Sequence, residues 1–128
     1  MAYLLDTTVA IHLRDGDDEI DARVDALAPP LLLSVVSRIE LEAGLVRPDR
    51  DAQDRARRLD ALLDVVPVLP FGSAEALAYR QIIAACGFSR CKVLDRMIAA
   101  QALVAGAVLV TRKGDDFRDV PGLTLLEW

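Results

Sequence analysis

Short apolar runs alternate with amphipathic stretches along the whole chain. The runs at residues 3–5, 31–36 and 107–111 lack the polar alternation of a half-exposed strand, so they predict strands that are buried on both faces. Two weaker strands are predicted at 65–70, where prolines favour a sheet edge, and at 123–126.

The segments between these strands carry helical spacing or helix-start and helix-stop signals. Helices are predicted at residues 7–13, 21–27, 37–44, 49–63, 73–85 and 94–105, and the acidic stretch 14–21 is predicted to be a solvated loop. Continuously apolar strands that alternate with helices predict an α/β fold with a central, mainly parallel sheet. We expect residues 1–128 to form a single domain, a three-layer α/β/α sandwich.

Composition narrows the function classes. Hydrophobic residues make up 53% of the chain and charged residues 27%, which is typical of a folded protein with a substantial core. No apolar run approaches the ~20 residues that cross a bilayer, and the first residues lack a basic leader, so a cytoplasmic location is expected. Two cysteines and one histidine are too few for a conventional zinc site, and reduced thiols are expected.

The net charge of −5 argues against a protein that coats nucleic acid, because such proteins are usually basic. An enzyme that acts on nucleic acid remains compatible with this charge. Clustered carboxylates can hold a cation, and the cation can then receive a phosphate.

Asp6 follows the first predicted strand directly. In open parallel sheets, ligands bind outside the carboxyl ends of the strands, so Asp6 is a candidate site residue. Asp is also a good helix N-cap, and the pattern alone does not choose between these roles.

Glu40 and Glu42 lie on one predicted helix but point about 200° apart. Glu42 has Arg38 four residues before it, which favours an exposed face. Glu40 has Val36 behind it and Gly44 ahead, so we expect it to face a cleft with small apolar neighbours. A capping box with Ser37 would use the same carboxylate oxygens.

Asp95 opens a predicted helix whose same face carries Ala99 and Ala102. These small residues allow another element to approach Asp95 closely, although a plain capping role is the alternative. Asp115 and Asp116 follow the strand that ends at Thr111, where a polar turn is the simpler interpretation.

Together, the four acidic positions indicate a cation site. Carboxylate oxygens are hard ligands suited to Mg²⁺ or Mn²⁺, and a divalent cation keeps repelling carboxylates ionised. Such a cation can bind a phosphate oxygen and lower the pKa of a water molecule.

The order of these segments resembles the PIN-domain family, particularly the VapC toxins of bacterial toxin–antitoxin pairs. The resemblance covers nearly the whole chain. It is carried by residues 3–8 (YLLDTT), 34–41 (SVVSRIEL) with Gly44, 95–102 (DRMIAAQA), 109–111 (LVT), 116–117 (DF) and 120–123 (VPGL).

This resemblance implies a Mg²⁺- or Mn²⁺-dependent endoribonuclease. Asp6 and Asp95 match direct metal ligands, and Glu40 matches a residue that binds metal or positions the attacking water. Thr7 and Thr111 match supporting hydroxyl positions. A VapB-type antitoxin partner, which often places an Arg among the carboxylates, and a homodimer are also implied.

Two positions depart from the family pattern. Thr8 stands where Asn is frequent, and Lys113 stands at one frequent acidic or Asn position. We assign the fourth acidic position to Asp116, which precedes Phe117 as in many relatives, with Asp115 as the alternative. Four basic residues in loops that should flank the cleft are candidates for RNA contacts or ordinary surface charge: Arg90, Lys92, Arg112 and Lys113.

Three other functions fit this sequence less well. A haloacid-dehalogenase-type phosphatase needs an acid where this chain has Thr8, and a response-regulator receiver needs an aspartate near Leu69 and Pro70. A catalytically inactive PIN-like module that binds RNA or protein is the remaining alternative, because Lys113 could neutralise the carboxylates without activating water.

Overall fold

A five-stranded sheet runs through the centre of the computed structural model, which describes residues 1–128. All strands are parallel and lie in the order β3-β2-β1-β4-β5. The predicted α/β fold with a parallel sheet is confirmed, and the proline-flanked strand lies at an edge as expected. The strands are β1 (Tyr3–Leu5), β2 (Leu31–Ser34), β3 (Val68–Leu69), β4 (Val108–Thr111) and β5 (Leu125–Glu127).

Six helices connect these strands in the predicted order. They are α1 (Thr7–Arg14), α2 (Asp18–Asp25), α3 (Val35–Gly44), α4 (Ala52–Val65), α5 (Ser73–Cys86) and α6 (Val93–Ala105). The acidic stretch at 14–21 is not wholly a loop, and this prediction is wrong in part. Asp17 caps α2 by accepting the backbone N–H groups of Glu19 and Ile20, so the acidic residues begin a helix whose first turn favours negative charge.

Successive strand residues send their side chains to opposite faces of the sheet, and this produces three layers. Leu4 and Leu109 pack on one face with residues of α5 and α6. Leu5 and Val110 pack on the other face with residues of α1 and α2, and Leu33 packs there with residues of α4. None of the helices has the length and hydropathy that a bilayer-spanning helix requires.

Gln101 ties the edge strand to the core. Its side chain is 1% exposed, accepts a hydrogen bond from the Ser34 hydroxyl, and donates at 3.0 Å to the carbonyls of Leu69 and Pro70. One side chain of α6 therefore connects the end of β2 with the end of β3.

The central strand β1 lies between β2 and β4, which are reached by connections running in opposite directions along the sheet. This arrangement is a topological switch point, where open parallel sheets bind ligands beyond their carboxyl ends. Asp6 follows β1, and Thr111 is the last residue of β4. The fold therefore brings these two residues to one edge.

Candidate functional site

Asp6 is buried at the carboxyl end of β1, with 2% of its surface exposed. Its Oδ1 accepts the backbone N–H of Thr7 at 2.8 Å, and its Oδ2 accepts the hydroxyl of Thr111 at 2.8 Å. Asp6 is also the N-cap residue of α1, so the two roles considered from sequence fall on one residue. Burial raises the pKa of Asp6, and the bonds from Thr111 and Thr7 oppose that rise.

Thr111 connects Asp6 to the loop that follows β4. The residue is fully buried, and its hydroxyl oxygen accepts the backbone N–H of Lys113 at 2.9 Å while it donates to Asp6. The first turn of the loop and the Asp6 carboxylate are thereby oriented by the same hydroxyl.

Glu40 is connected to the end of β1 through Thr7. The Thr7 hydroxyl donates to Glu40 Oε1 at 2.8 Å and lies 2.8 Å from the Ser37 hydroxyl. Thr7 has a single hydroxyl proton, which it gives to Glu40, so Ser37 must be the donor to Thr7. Sequence analysis missed this role of Ser37; its spacing of three residues from Glu40, on one helix face, was the available signal.

The predicted start of α3 is wrong. Ser34 caps this helix by accepting the backbone N–H of Val36 at 3.0 Å, so the strand ends at Ser34 rather than at Val36. A capping box between Ser37 and Glu40 is therefore absent. Glu40 is also exposed rather than surrounded by small apolar residues, whereas the expectation that Glu42 is a surface residue is confirmed.

Asp95 lies in the first turn of α6 but does not cap it, because Lys92 is the N-cap and no side-chain cap bond is present. Its pKa is raised to about 6. Burial is the largest cause, followed by the charges of Asp6 and Asp116, with a smaller contribution from Glu40. The four candidate carboxylates thus lie close enough to act on one another electrostatically, while Lys113 opposes the rise.

Asp116, rather than Asp115, faces this cluster. Asp116 ends a short 3-10 turn, is partly buried, and raises the pKa of both Asp6 and Asp95. The side chain of Asp115 is 90% exposed and pairs with Arg118. The geometry therefore agrees with the choice of Asp116 over Asp115.

An ion pair that sequence analysis missed fixes the loop carrying Asp116. Arg96, which is 4% exposed, donates from Nη1 and Nη2 to the two carboxylate oxygens of Asp119 at 2.8 and 2.7 Å. Its Nη1 also donates to the backbone carbonyl of Asp116 at 3.2 Å. Arg96 follows Asp95 directly, so α6 holds the loop against the candidate site.

The four basic candidates lie in segments adjoining the carboxylates. Arg90 and Lys92 belong to a 3-10 turn that leads into α6, and Arg112 and Lys113 follow β4. Arg90, Arg112 and Lys113 are exposed, and Lys92 is partly so. None of the four pairs with an acid within 4 Å.

The cluster fits a divalent cation in donor type and charge. It offers four carboxylates, and burial together with the charges of the neighbouring carboxylates raises the pKa of Asp95, so a cation would favour its ionised form. No three His, Cys, Asp or Glu side chains already converge as a ready-made ligand set. Cys86 and Cys91 are free thiols, as expected.

Comparisons with known proteins agree with this fold. The chain is 23% identical to Ribonuclease VapC2 of Rickettsia felis, over 100% of this chain and 98% of the relative. It superposes with a TM-score of 0.88 and 22% identity on VapBC2 from Rickettsia felis, bound to a DNA fragment from their promoter, covering 100% and 99% of the two chains.

A member of the VapBC family of toxin-antitoxin systems, VapBC-5 from Mycobacterium tuberculosis, is 25% identical with a TM-score of 0.73, covering 99% and 98%. The profile of the PIN domain family matches residues 3–123. The chain belongs to the PIN domain family.

Proposed function

We propose that this chain is a divalent-cation-dependent endoribonuclease toxin of the VapC type. The observation that carries the proposal is the grouping of Asp6, Glu40, Asp95 and Asp116 at one edge of the sheet, where burial and the charges of the other three carboxylates raise the pKa of Asp95 to about 6. Grouped carboxylates at the carboxyl edge of a parallel sheet are suited to Mg²⁺ or Mn²⁺. The similarity to a relative named Ribonuclease VapC2 supports RNA as the substrate.

In this proposal Asp6 and Asp95 are direct metal ligands, Glu40 binds metal or positions the attacking water, and Asp116 completes the acidic set. A bound divalent cation would supply Lewis-acid stabilisation of a phosphate oxygen and a water of lowered pKa. These roles are the ones that the resemblance to the PIN-domain family implies. The burial of Asp6 and the exposure of Glu40 are compatible with a ligand held inside the site and a residue that reaches water.

The hydroxyl residues orient these carboxylates. Thr111 and the backbone of Thr7 each hold one oxygen of Asp6, so both of its oxygens keep a defined direction. Thr7, supported by Ser37, holds one oxygen of Glu40 and leaves the other free to accept a proton from water. The exposed cation Lys113 lies near Asp6 and Asp95 and can contact a phosphate oxygen.

We also propose a VapB-type antitoxin as the partner, in line with the VapBC complexes that share this fold. An antitoxin Arg placed among the carboxylates would form charge-assisted bonds and occupy the position of the cation. A homodimer is part of the same proposal, and the mass of the purified chain in solution tests it.

The competing function is an inactive PIN-like module that binds RNA or protein. It is favoured by two observations: Lys113 partly neutralises the cluster, and no ligand set is preformed. A module of this kind would bind without cleaving.

Cleavage of a mixed RNA pool with Mg²⁺ or Mn²⁺ tests the proposal. Wild type and Glu42→Gln, an exposed glutamate on α3, are expected to release defined fragments, whereas Asp6→Asn and EDTA-treated wild type release none. If wild-type protein that is folded and free of antitoxin leaves the RNA intact with both metals, the chain is an inactive PIN-like module and not a nuclease.

A further inference from the structure

We propose that a pocket between α1, α3 and α4 binds a phosphate of the RNA backbone that flanks the phosphate to be cleaved. This inference rests on the proposed ribonuclease function, because it places the substrate strand. The pocket has a volume of about 280 Å³, and three arginines line it: Arg14, Arg47 and Arg55.

The pocket begins at the carboxylate cluster. Glu40, which accepts a hydrogen bond from Thr7, forms part of its wall together with Gly44, one turn further along α3. On α1, Thr7, Ile11 and Arg14 share one helix face. Thr7 and Arg14 are seven positions apart on α1, a rise of about 10 Å, so the arginines suit a flanking phosphate rather than the one at the carboxylates.

Arg14 supplies free donors in a nearly buried position. Its side chain is 7% exposed, and Nε donates to Asp15 Oδ1 at 2.9 Å. The terminal nitrogens have no protein partner; since no buried polar atom in the structure is unsatisfied, they must reach solvent. Arg14 also borders the apolar groove beside α2, so its guanidinium lies at the boundary of the two depressions.

Arg55 and Arg47 complete the basic wall in different ways. Arg55 is held rigidly, because Nη1 contacts both oxygens of Asp49 at 3.0 and 3.1 Å and Nη2 donates to the carbonyl of Gly44 at 3.3 Å. Arg47 is exposed and has no acidic partner within 4 Å. Asp15 and Asp49 pair with Arg14 and Arg55, whereas Arg47 acts on Asp49 only through its charge. Arg47 is therefore the lining arginine whose guanidinium is most available, although Glu40 adds one negative charge to the wall.

These features match a phosphate better than a neutral ligand. Guanidinium groups present forked donors that fit phosphate oxygens, and a chain of net charge −5 needs local cations to hold a polyanion. Arg112 and Lys113 follow β4, which lies on the opposite side of β1 from β2, and they form a second basic region. Together, the two basic regions would hold the RNA strand on both sides of the cleavage point.

The test compares Arg47→Gln and Arg14→Gln with the matched control Arg57→Gln in the full chain. Arg57 is on α4, is 74% exposed, and pairs only with Asp54, so its loss changes the charge equally without touching the pocket. Arg47 is exposed, so its variant is expected to fold even if Arg14→Gln does not. The probe is a short labelled single-stranded RNA, titrated in EDTA at several salt concentrations and then cleaved with Mg²⁺.

Each pocket variant is expected to weaken RNA binding about 5- to 10-fold and to reduce the slope of log K against log salt by about 0.7, the loss of one phosphate contact. In the cleavage assay KM rises while kcat changes less than about twofold, because the contact is uniform binding. Arg57→Gln should match wild type in both assays.

The subsite is wrong if Arg47→Gln binds and cleaves RNA like Arg57→Gln while wild type is active. It is also wrong if the pocket variants lose only antitoxin affinity, since a protein would then be the occupant. If wild type binds RNA with the expected variant effects but cleaves none, the subsite is upheld and the proposed nuclease fails. Absence of both binding and cleavage overturns both.

Discussion

The two sides of the carboxylate cluster are held by different interactions. One side, called here the hydroxyl side, contains Asp6 and Glu40, and Thr7 and Thr111 fix individual oxygens of these two carboxylates. On the ion-pair side, Arg96 and Asp119 fix the backbone of the loop, whereas the carboxylate of Asp95 accepts no capping bond from the start of its helix.

The two sides are therefore preorganised to different degrees. On the hydroxyl side, hydrogen bonds fix the direction of carboxylate oxygens. On the ion-pair side, they fix only the backbone of the loop that carries Asp116. Such a division explains how four carboxylates can lie close together without forming a ready-made ligand set. In the proposed nuclease, cation binding would then mainly reorient Asp95 and Asp116 toward a fixed Asp6.

The largest stability effect is expected on the ion-pair side. Arg96→Met keeps much of the buried volume but removes three hydrogen bonds, two of them to a carboxylate. We expect the free energy of unfolding to fall by about 2–3 kcal/mol, measured by urea denaturation. Arg118→Gln is the control, because Arg118 is 53% exposed where it pairs with Asp115 and Glu127. Equal losses for both variants would show that burial of Arg96 is unimportant.

The second largest effect on stability is expected for a substitution on the hydroxyl side, at Thr111. Thr111→Val removes the bond to Asp6 Oδ2 and the acceptor for Lys113 N–H, at a cost of about 1–2 kcal/mol. The pKa of Asp6 should rise further, because one of the bonds that lower it is lost. Thr124→Val, at an exposed position, serves as the control in the same denaturation series. A Thr111→Val protein as stable as this control would contradict the supporting role of the hydroxyl.

The pH dependence of the free energy of unfolding tests the Asp95 carboxylate, which accepts no capping bond. The folded pKa of Asp95, about 6, exceeds the ordinary value of 3.8 for an aspartate, so the native state binds this proton more tightly than the unfolded state. In EDTA, stability should therefore fall as pH rises from about 4 to 6 and stay lower above that range. After allowance for solvent screening, Asp95→Asn should raise the free energy of unfolding by about 1 kcal/mol at pH 7. A pH profile of thermal unfolding unchanged by this substitution would contradict the expectation.

The smallest stability effect is expected at Thr7. Thr7→Val breaks the bond to the exposed Glu40 and should cost about 0.5–1 kcal/mol, against Thr8→Val as a neighbouring control. The nuclease proposal also predicts a lower kcat, because Glu40 would lose its orientation while the fold persists. Normal RNA cleavage by Thr7→Val would mean that this hydroxyl does not orient a functional Glu40.

The sequence predicted the hydroxyl side better than the ion-pair side, for a physical reason. The apolar strands and Asp6 at the end of β1 are local features, and the supporting positions of Thr7 and Thr111 were implied by the family resemblance. That Thr111 lies beside Asp6 depends on the strand order, which the structure supplies. The pairing of Arg96 with Asp119 joins residues 23 positions apart, and Asp119 lies in an irregular loop whose path no periodicity specifies.

Local signals also competed at two helix starts. Ser34 and Ser37 can both cap a helix. The apolar run through Val36 favoured the later cap, whereas the structure uses Ser34. Asp17 lies in an acidic stretch that resembles a solvated loop, but its side chain accepts two backbone N–H groups. The metal-ligand roles of Asp6, Glu40, Asp95 and Asp116 stay predictions.

Calorimetric titration of Mn²⁺ into antitoxin-free protein at pH 7 tests whether the carboxylate cluster binds a cation, with wild type, Asp6→Asn and Glu42→Gln compared. We expect binding to wild type and Glu42→Gln and at least about tenfold weaker binding to Asp6→Asn, since a direct ligand should matter at least as much as the groups that orient ligands. Equal affinity of all three proteins, or no binding to wild type, would contradict a cation site built around Asp6.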